Sequence, residues 1–153
     1  MNERPVEYYR VEMLNTKRCV AISDDFLKSI LKLTPLSEND SYRFRVAISE
    51  IVSNSYRHGN KEDPNKKIYI LCTIDKNCIK VVIEDEGNGF DLSDAGKKYE
   101  IEGIYAPGGR GLKIAGKFAD NVEYEINETG RFSVSLVKNF ELEKNKQKET
   151  IMN

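Results

Sequence analysis

RVAISEIVSNSYRHG, the stretch from Arg45 to Gly59, has the apolar spacing of one long helix with a row of polar side chains along one side. Glu50, Asn54 and His58 recur at every fourth position, so each lies about 40° further round a 3.6-residue helix than the last. An adjoining apolar stripe can pack on a sheet and hold the polar row in place; it consists of Ala47, Ile48, Ile51, Val52 and Ser55. We therefore expect the polar row at the edge of the core.

The size and charge of the chain limit what it can be. Its 153 residues suit one domain, which we place at residues 1–140, followed by a charged tail at residues 141–153. Lys and Arg number 24 against 25 Asp and Glu, so the net charge of -1 provides no field that would favour nucleic acid or an anionic membrane. No apolar run approaches the roughly 20 residues of a membrane span. Neither nucleic acid nor a membrane is expected as a direct partner.

The three cysteines indicate a reducing compartment. Cys19, Cys72 and Cys78 lack the spacing of a CxxC or Cys/His metal site, and we interpret them as residues that fill core space. The N-terminus carries charges where a signal peptide needs an apolar run. We therefore expect a cytoplasmic protein.

The periodicities predict an α/β fold, an α+β two-layer sandwich in which three helices cover one face of a mostly antiparallel mixed sheet of about five strands. The predicted strands are Val6–Leu14, Lys67–Ile74, Cys78–Asp85, Asn121–Ile126 and Phe132–Lys138. The predicted helices run from an N-cap at Ser23–Asp25 to about Leu33, from Ser37–Asp40 to Gly59–Asn60, and from Gly111 to Phe118. The segment between Gly89 and Gly109 has only weak helical signal, and loops of this length are usually functional or mobile.

Two glycine-containing motifs accompany the helix. In Asp85-Glu86-Gly87-Asn88-Gly89, at the end of a predicted buried strand, the Asp85 carboxylate can accept a hydrogen bond from an exocyclic amine, and the glycines let a flat ligand approach. In Gly108-Gly109-Arg110-Gly111, backbone amides at a helix start can cradle phosphate. Alone, the first is more often an ordinary turn and the second as often a hinge. Their joint occurrence, in order after the helix, favours a nucleotide site.

Together these residues resemble the Bergerat-fold ATP-binding proteins shared by histidine kinases, gyrase-type ATPases and Hsp90 chaperones. Glu50-Ile51-Val52-Ser53-Asn54 with Arg57-His58-Gly59 is most similar to the bacterial anti-sigma factor serine/threonine kinases, and the resemblance extends to about Phe140. It implies ATP and Mg²⁺ as cofactors, with Asn54 as the Mg²⁺ ligand and Glu50 as the general base for the attacking hydroxyl. His58 gains no role from it, and capping the helix end with positive charge is the simpler interpretation.

The same resemblance assigns the two glycine motifs. It implies that Asp85 receives the adenine amino group and that Gly87 and Gly89 shape that pocket. Gly109 and Gly111 would lie against the phosphates, with Arg110 between them, and residues 90–107 would form the ATP lid.

The sequence departs from this family in two places. Where the kinases tend to have a basic residue before the lid glycines, the chain has Ala106-Pro107, so the γ-phosphate could instead be neutralised by Arg110, Lys97 or Lys98. After Gly130 the usual threonine is replaced, and Ser133 is an open alternative for its hydroxyl contact near the base.

Non-catalytic interpretations remain open for Glu50 and Asn54. Glu50 could be a surface acid that pairs with Arg45 or Arg57, and Asn54 could simply be solvated.

The resemblance implies an anti-sigma factor serine/threonine kinase. Such a protein binds MgATP, sequesters a sigma factor, and phosphorylates a serine of an antagonist, or anti-anti-sigma, protein. The alternative is a nucleotide-binding partner-switching module without kinase activity. The catalytic half of a sensor histidine kinase is disfavoured, because the chain has no second histidine to phosphorylate. The resembling kinases are commonly dimers, and the Tyr8-Tyr9 pair either packs on the sheet or marks a homodimer contact.

Overall fold

The computed structural model describes residues 5–87, 98–100, 105–106, 110–111 and 113–141, with the backbone alone for 98–100, 105–106, 110–111 and 113–114. The elements are β1 Glu7–Leu14, α1 Cys19–Leu31, α2 Glu38–Asn54, a π-helical turn Ser55–Gly59, β2 Lys67–Ile74, β3 Cys78–Asp85, β4 Lys98–Glu100, β5 Tyr105–Ala106, β6 Arg110–Gly111, α3 Lys113–Phe118, β7 Asn121–Ile126 and β8 Phe132–Asn139. Apart from Glu141, the predicted tail lies outside these ranges.

One six-stranded sheet forms the base of the molecule, in the order β1-β2-β3-β8-β7-β4. Every pairing in it is antiparallel, and β5 pairs with β6 in a separate small hairpin. The predicted two-layer α+β fold is confirmed, with five long strands and the three-residue β4 at one edge. The expected mixed character is not seen among the described pairs, all of which are antiparallel.

Strand alternation separates the two faces of the sheet. Alternate residues of β2 and β3, such as Ile70 and Val81, are fully buried with apolar residues of α1 and α2 in one core. On the other face, Tyr8 and Leu14 of β1 are 75% and 61% exposed. The described part of the chain contains no helix with the length and apolar character that a bilayer crossing requires.

Helix α1 starts earlier than predicted. It begins at Cys19, whose thiol donates to the Leu14 carbonyl at 2.8 Å, so Ser23–Asp25 lies inside the helix and the predicted N-cap is wrong. Asp24 instead reaches across to α2, where Arg45 donates to its two carboxylate oxygens at 2.9 and 2.7 Å. The acidic residue thus joins two helices rather than capping one.

Helix α2 starts where the sequence predicts. Ser37 is its N-cap, and the Ser37 hydroxyl accepts a hydrogen bond from the Asp40 amide at 3.1 Å. Its end differs, because regular α-helix stops at Asn54 and a π-helical turn follows, closed by the Asn60 amide donating to the Ser55 carbonyl at 2.8 Å.

The region after β3 also departs from the prediction. Helix α3 begins at Lys113 rather than at Gly111, which pairs with Tyr105 across the β5–β6 hairpin. Within the segment predicted as a lid loop, β4 adds to the edge of the sheet beside β7. Gly89 and Gly109 lie outside the described residues.

Candidate nucleotide-binding site

Asp85 is a fully buried acid at the end of β3. It is paired in register with Ile68 of β2 and Phe132 of β8, on the same side of the sheet as the apolar core. A carboxylate placed in this way costs desolvation energy, which the fold tolerates where the group has a function or a good partner. This position confirms that the predicted strand ends in a buried acid.

Gly59 lets the Asp85 carboxylate reach the end of the helical layer. A methyl group added at Gly59 would lie only 2.5 Å from Cγ and 2.8 Å from Oδ1 of Asp85. Only glycine therefore fits beside the carboxyl in this arrangement. From the sequence, Gly59 was predicted only to end the helix. Its place at the end of the helix that carries the polar row was the signal that could have indicated a close contact.

The π-helical turn divides the polar row. Glu50 and Asn54 lie one turn apart in regular α-helix, whereas His58 lies in the turn with i→i+5 hydrogen bonding and is exposed. The row predicted from regular spacing therefore keeps two members on one face.

Glu50 has a buried carboxylate oxygen, Oε2, without a hydrogen-bond partner among the described residues. Burial raises the pKa of this carboxyl above its usual range. Arg45 and Arg57, the two residues that could have paired with Glu50, have other partners. Arg45 pairs with Asp24, and Arg57 donates to the Ser53 hydroxyl at 2.8 Å. An unpaired, desolvated carboxylate is a good proton acceptor.

Asn54 ends α2 one turn after Glu50 and is half-buried. Its amide oxygen suits a hard cation such as Mg²⁺, which keeps several waters and needs few protein ligands when phosphate oxygens complete the shell. Within the described ranges, no three His, Cys, Asp or Glu side chains converge as metal ligands. The donor set thus fits a cation held partly by a bound phosphate.

Glu86 and Gly87, which follow Asp85, are each held by hydrogen bonds. The Glu86 amide donates to Asn60 Oδ1 at 3.0 Å, and Glu86 Oε2 accepts from the Lys67 amide at 2.8 Å. Gly87 has a φ of 58°, in the left-handed region, and its carbonyl accepts from Lys66 Nζ at 2.6 Å. The turn is therefore fixed by polar contacts on one side of Asp85.

Most of the chain matches one protein-family model. The model described as the histidine kinase-like ATPase domain matches residues 15–138. The chain belongs to this family. The match contains both the helix with Glu50 and Asn54 and the strand that ends in Asp85.

Relatives of this domain include anti-sigma F factors and serine-protein kinases. An anti-sigma F factor of Bacillus cytotoxicus is 31% identical over 115 residues, which cover 71% of the chain and 75% of that protein. The serine-protein kinase RsbW of Bacillus subtilis is 29% identical over 118 residues, 71% of each protein. An anti-sigma F factor of Oceanobacillus iheyensis is 35% identical over 81 residues, and the chain spans only 56% of its length. Within the histidine kinase-like ATPase domain family, the chain is thus similar to proteins named anti-sigma F factor and serine-protein kinase RsbW.

A solved structure supports the fold. A Mycobacterium tuberculosis protein with RsbU and RsbW domains superimposes with a TM-score of 0.63 at 16% identity, over 88% of this chain. The chain spans 32% of that longer one. At this identity the likeness concerns the fold alone.

The remaining predicted residues of this ATPase domain fall into two groups. Arg110 and Gly111 form β6 and Lys98 belongs to β4, in both cases with only the backbone described, while Lys97 lies outside the described residues. Ser133 is buried but pairs with Glu84, on the face opposite Asp85, so strand alternation makes it unsuitable for a contact near the base.

Proposed function

We propose that this ATPase domain is an ATP-dependent protein serine/threonine kinase that acts as an anti-sigma factor. The observation that carries the proposal is Glu50, a carboxylate with a buried, unpaired oxygen one helical turn before Asn54. Phosphoryl transfer needs positioning, charge neutralisation and one group that takes the proton of the attacking hydroxyl. The names of the relatives, anti-sigma F factor and serine-protein kinase, support the same assignment.

Each residue has a separate task in this proposal. Glu50 accepts the hydroxyl proton, and its raised pKa makes it a stronger base than an exposed glutamate. Asn54 would hold Mg²⁺, which supplies charge neutralisation at the phosphates when bound. Asp85 accepts a hydrogen bond from the adenine amine, in a pocket shaped by Gly87 and Gly89. Gly109, Arg110 and Gly111 would lie against the phosphates.

The names of the relatives support the proposed partners. The proposed kinase sequesters a sigma factor and phosphorylates a serine of an anti-anti-sigma protein. It works in the cytoplasm, which the free thiols of Cys19, Cys72 and Cys78 support. It forms a homodimer, for which the exposed Tyr8 and Leu14 on the edge strand β1 offer an apolar contact.

A second function rests on one sequence feature. Ala106-Pro107 replaces the basic residue that the resembling kinases tend to have before the lid glycines. A nucleotide-binding partner-switching module without phosphate transfer would not need that charge. The two functions share ATP binding and differ in the fate of the γ-phosphate.

Labelled ATP separates them. Incubation of the chain with γ-labelled ATP, Mg²⁺ and the antagonist encoded nearby is expected to give phosphoserine on the antagonist. Glu50→Gln is expected to bind MgATP normally and to transfer phosphate about 10²–10⁴-fold more slowly, because the proton acceptor is lost. Glu38→Gln, an exposed site at the start of the same helix, is the matched control and should transfer at the normal rate. Normal transfer by Glu50→Gln would remove Glu50 from the base role, and no transfer by the unaltered chain would favour the passive module.

A further inference from the structure

We propose that Lys66 and Asn60 are positioning residues that set the base selectivity of the nucleotide site. They would do so by fixing the turn Asp85–Gly87 before any nucleotide arrives. The inference rests on the proposed function, because it assumes that Asp85 accepts a hydrogen bond from the purine amine.

Asn60 is fully buried, and its carboxamide is hydrogen-bonded on both sides. Its Nδ2 donates to the Lys67 carbonyl at 2.9 Å and to Asn15 Oδ1 at 3.2 Å, while its Oδ1 accepts from the Glu86 amide at 3.0 Å. A backbone donor on one side and a backbone acceptor on the other fix the orientation of the amide. One side chain thus joins the start of β2 to the end of β3.

Asn15 extends this buried network to the preceding strand. It is 1% exposed, its Nδ2 donates to the Asp63 carbonyl at 3.1 Å, and its amide donates to the Lys66 carbonyl at 3.0 Å. The end of β1, the loop before β2 and the end of β3 are therefore held in one polar cluster. Buried networks in which these groups are paired are rigid.

Lys66 holds the far side of the turn. Its ammonium donates to the Gly87 carbonyl at 2.6 Å, a short charge-assisted hydrogen bond. Together with the two bonds of Glu86, this contact fixes the two residues that directly follow Asp85. The backbone from β3 into the turn is thus preorganised.

Preorganisation of this turn matters for the base more than for the phosphates. A hydrogen bond weakens steeply when its angle or distance is displaced, and a misplacement of about 1 Å can cost roughly 10²-fold. ATP carries an amine at purine position 6 and ITP a carbonyl, whereas their triphosphates are identical. The ratio of the ATP and ITP affinities therefore reports how well the Asp85 carboxylate is oriented towards purine position 6.

The test compares ATP and ITP binding, measured by calorimetry with Mg²⁺, in the unaltered chain and in single-residue variants. The unaltered chain is expected to prefer ATP, and Asp85→Asn marks the loss of that preference. Lys66→Met keeps the aliphatic stem but loses the donor, and should lower the ATP/ITP ratio by about 3- to 10-fold. Lys32→Met is the matched control, since Lys32 is an exposed lysine at the end of α1 and makes none of the contacts that hold the turn. Its ratio should be unchanged.

The ratio separates positioning from a loss of stability, because unfolded molecules bind neither nucleotide and lower both apparent affinities equally. Lys66→Arg, which restores a donor, should recover part of the selectivity. Asn60→Ser should act in the same direction, and if it does not fold, Lys66→Met alone decides. A ratio for Lys66→Met within twofold of the unaltered chain would overturn the inference while leaving the proposed function intact. An unaltered chain that binds both nucleotides equally would instead refute the role of Asp85, and the inference with it.

Discussion

At Glu50, the proposed general base, stability and activity would oppose each other. Its pKa is raised by burial, so the folded state binds the proton more tightly than the unfolded state does. The ionised carboxylate consequently lowers the free energy of unfolding at neutral pH. A residue that destabilises the fold in this way is typical of a functional position.

Glu50→Gln is therefore expected to stabilise the protein while it slows the proposed phosphate transfer. The amide keeps the shape and removes the buried charge, so the free energy of unfolding at pH 7 should rise by roughly 0.5–1 kcal/mol, or about 1–4 °C in Tm. The gain should shrink as the pH falls from the raised pKa of folded Glu50 towards the ordinary glutamate pKa of about 4.3, and should be absent below it, where Glu50 is neutral in both the folded and the unfolded state. Urea denaturation at pH 7 and pH 4 measures both values. A variant that is less stable at pH 7 would mean that Glu50 has a stabilising partner.

At the scale of single residues, the sequence pointed to the residues of the proposed site but not to the residues that hold them in place. Glu50, Asn54 and Asp85 were identifiable because carboxylate and amide groups occur in a recognisable order. Gly59, Asn60 and Lys66 were missed because their roles depend on contacts with residues more than 20 positions away, such as Lys66 with Gly87. No local pattern encodes such a contact.

The π-helical turn Ser55–Gly59 is the element that joins the helical layer to the sheet at the site. It changes the direction of the chain after Asn54 and brings Gly59 against the Asp85 carboxyl. π-Helical insertions are rare and frequently occur at functional sites. Here the turn brings the end of the helical layer against the end of β3.

Gly59→Ala is expected to disrupt this junction. The added methyl group overlaps the Asp85 carboxyl, so the variant should lose about 1–3 kcal/mol of stability and about 10-fold or more in ATP affinity. Gly116→Ala in α3 is the matched control, because a Cβ there meets nothing within 4 Å and alanine favours a helix by about 0.5–1 kcal/mol. Thermal unfolding and ATP titration of both variants check the pair. Wild-type ATP affinity in Gly59→Ala would show that the contact with Asp85 is dispensable.

Elements were predictable where local chemistry determines them. The bounds of β2 and β3 agree with the prediction, since a polar turn separates two β-branched runs. The predicted start of α1 was wrong. Ser23-Asp24-Asp25 has the composition of an N-cap, but Asp24 lies inside the helix and pairs with Arg45 of α2. The π-helical turn was missed because its sequence continues the helical periodicity.

For the whole molecule, carboxyl groups with shifted pKa values shape the dependence of stability on pH, and Asp24, Asp75 and Glu50 show the two signs. Hydrogen bonding from Arg45 lowers the pKa of Asp24, and the backbone amides of Asn77 and Cys78 lower that of Asp75. These two groups stabilise the fold above the ordinary aspartate pKa of about 3.9, and their contribution is lost as the pH falls through their lower folded values. Glu50 has the opposite effect on stability. Its pKa is raised by burial, so its protonation at lower pH removes the cost of a buried charge and stabilises the fold.

The free energy of unfolding should therefore rise slightly as the pH is lowered from 7 to about 5, and then fall below about pH 4. Urea titrations between pH 3 and pH 8 measure the curve. In Glu50→Gln the initial rise should disappear while the acid loss remains. A stability that only decreases from pH 7 downward in the unaltered chain would contradict the assignment for Glu50.

The position of β3 between β2 and β8 also has a consequence for the order of folding. β2 and β3 are neighbours in sequence and can pair as a local hairpin, whereas Asp85 meets Phe132 only when β8, near the other end of the described chain, joins the sheet. A chain emerging from the ribosome can thus form the hairpin early, but Asp85 lacks its neighbour on β8 until Phe132 has been synthesised. Nucleotide binding at the proposed site would consequently have to wait for β8.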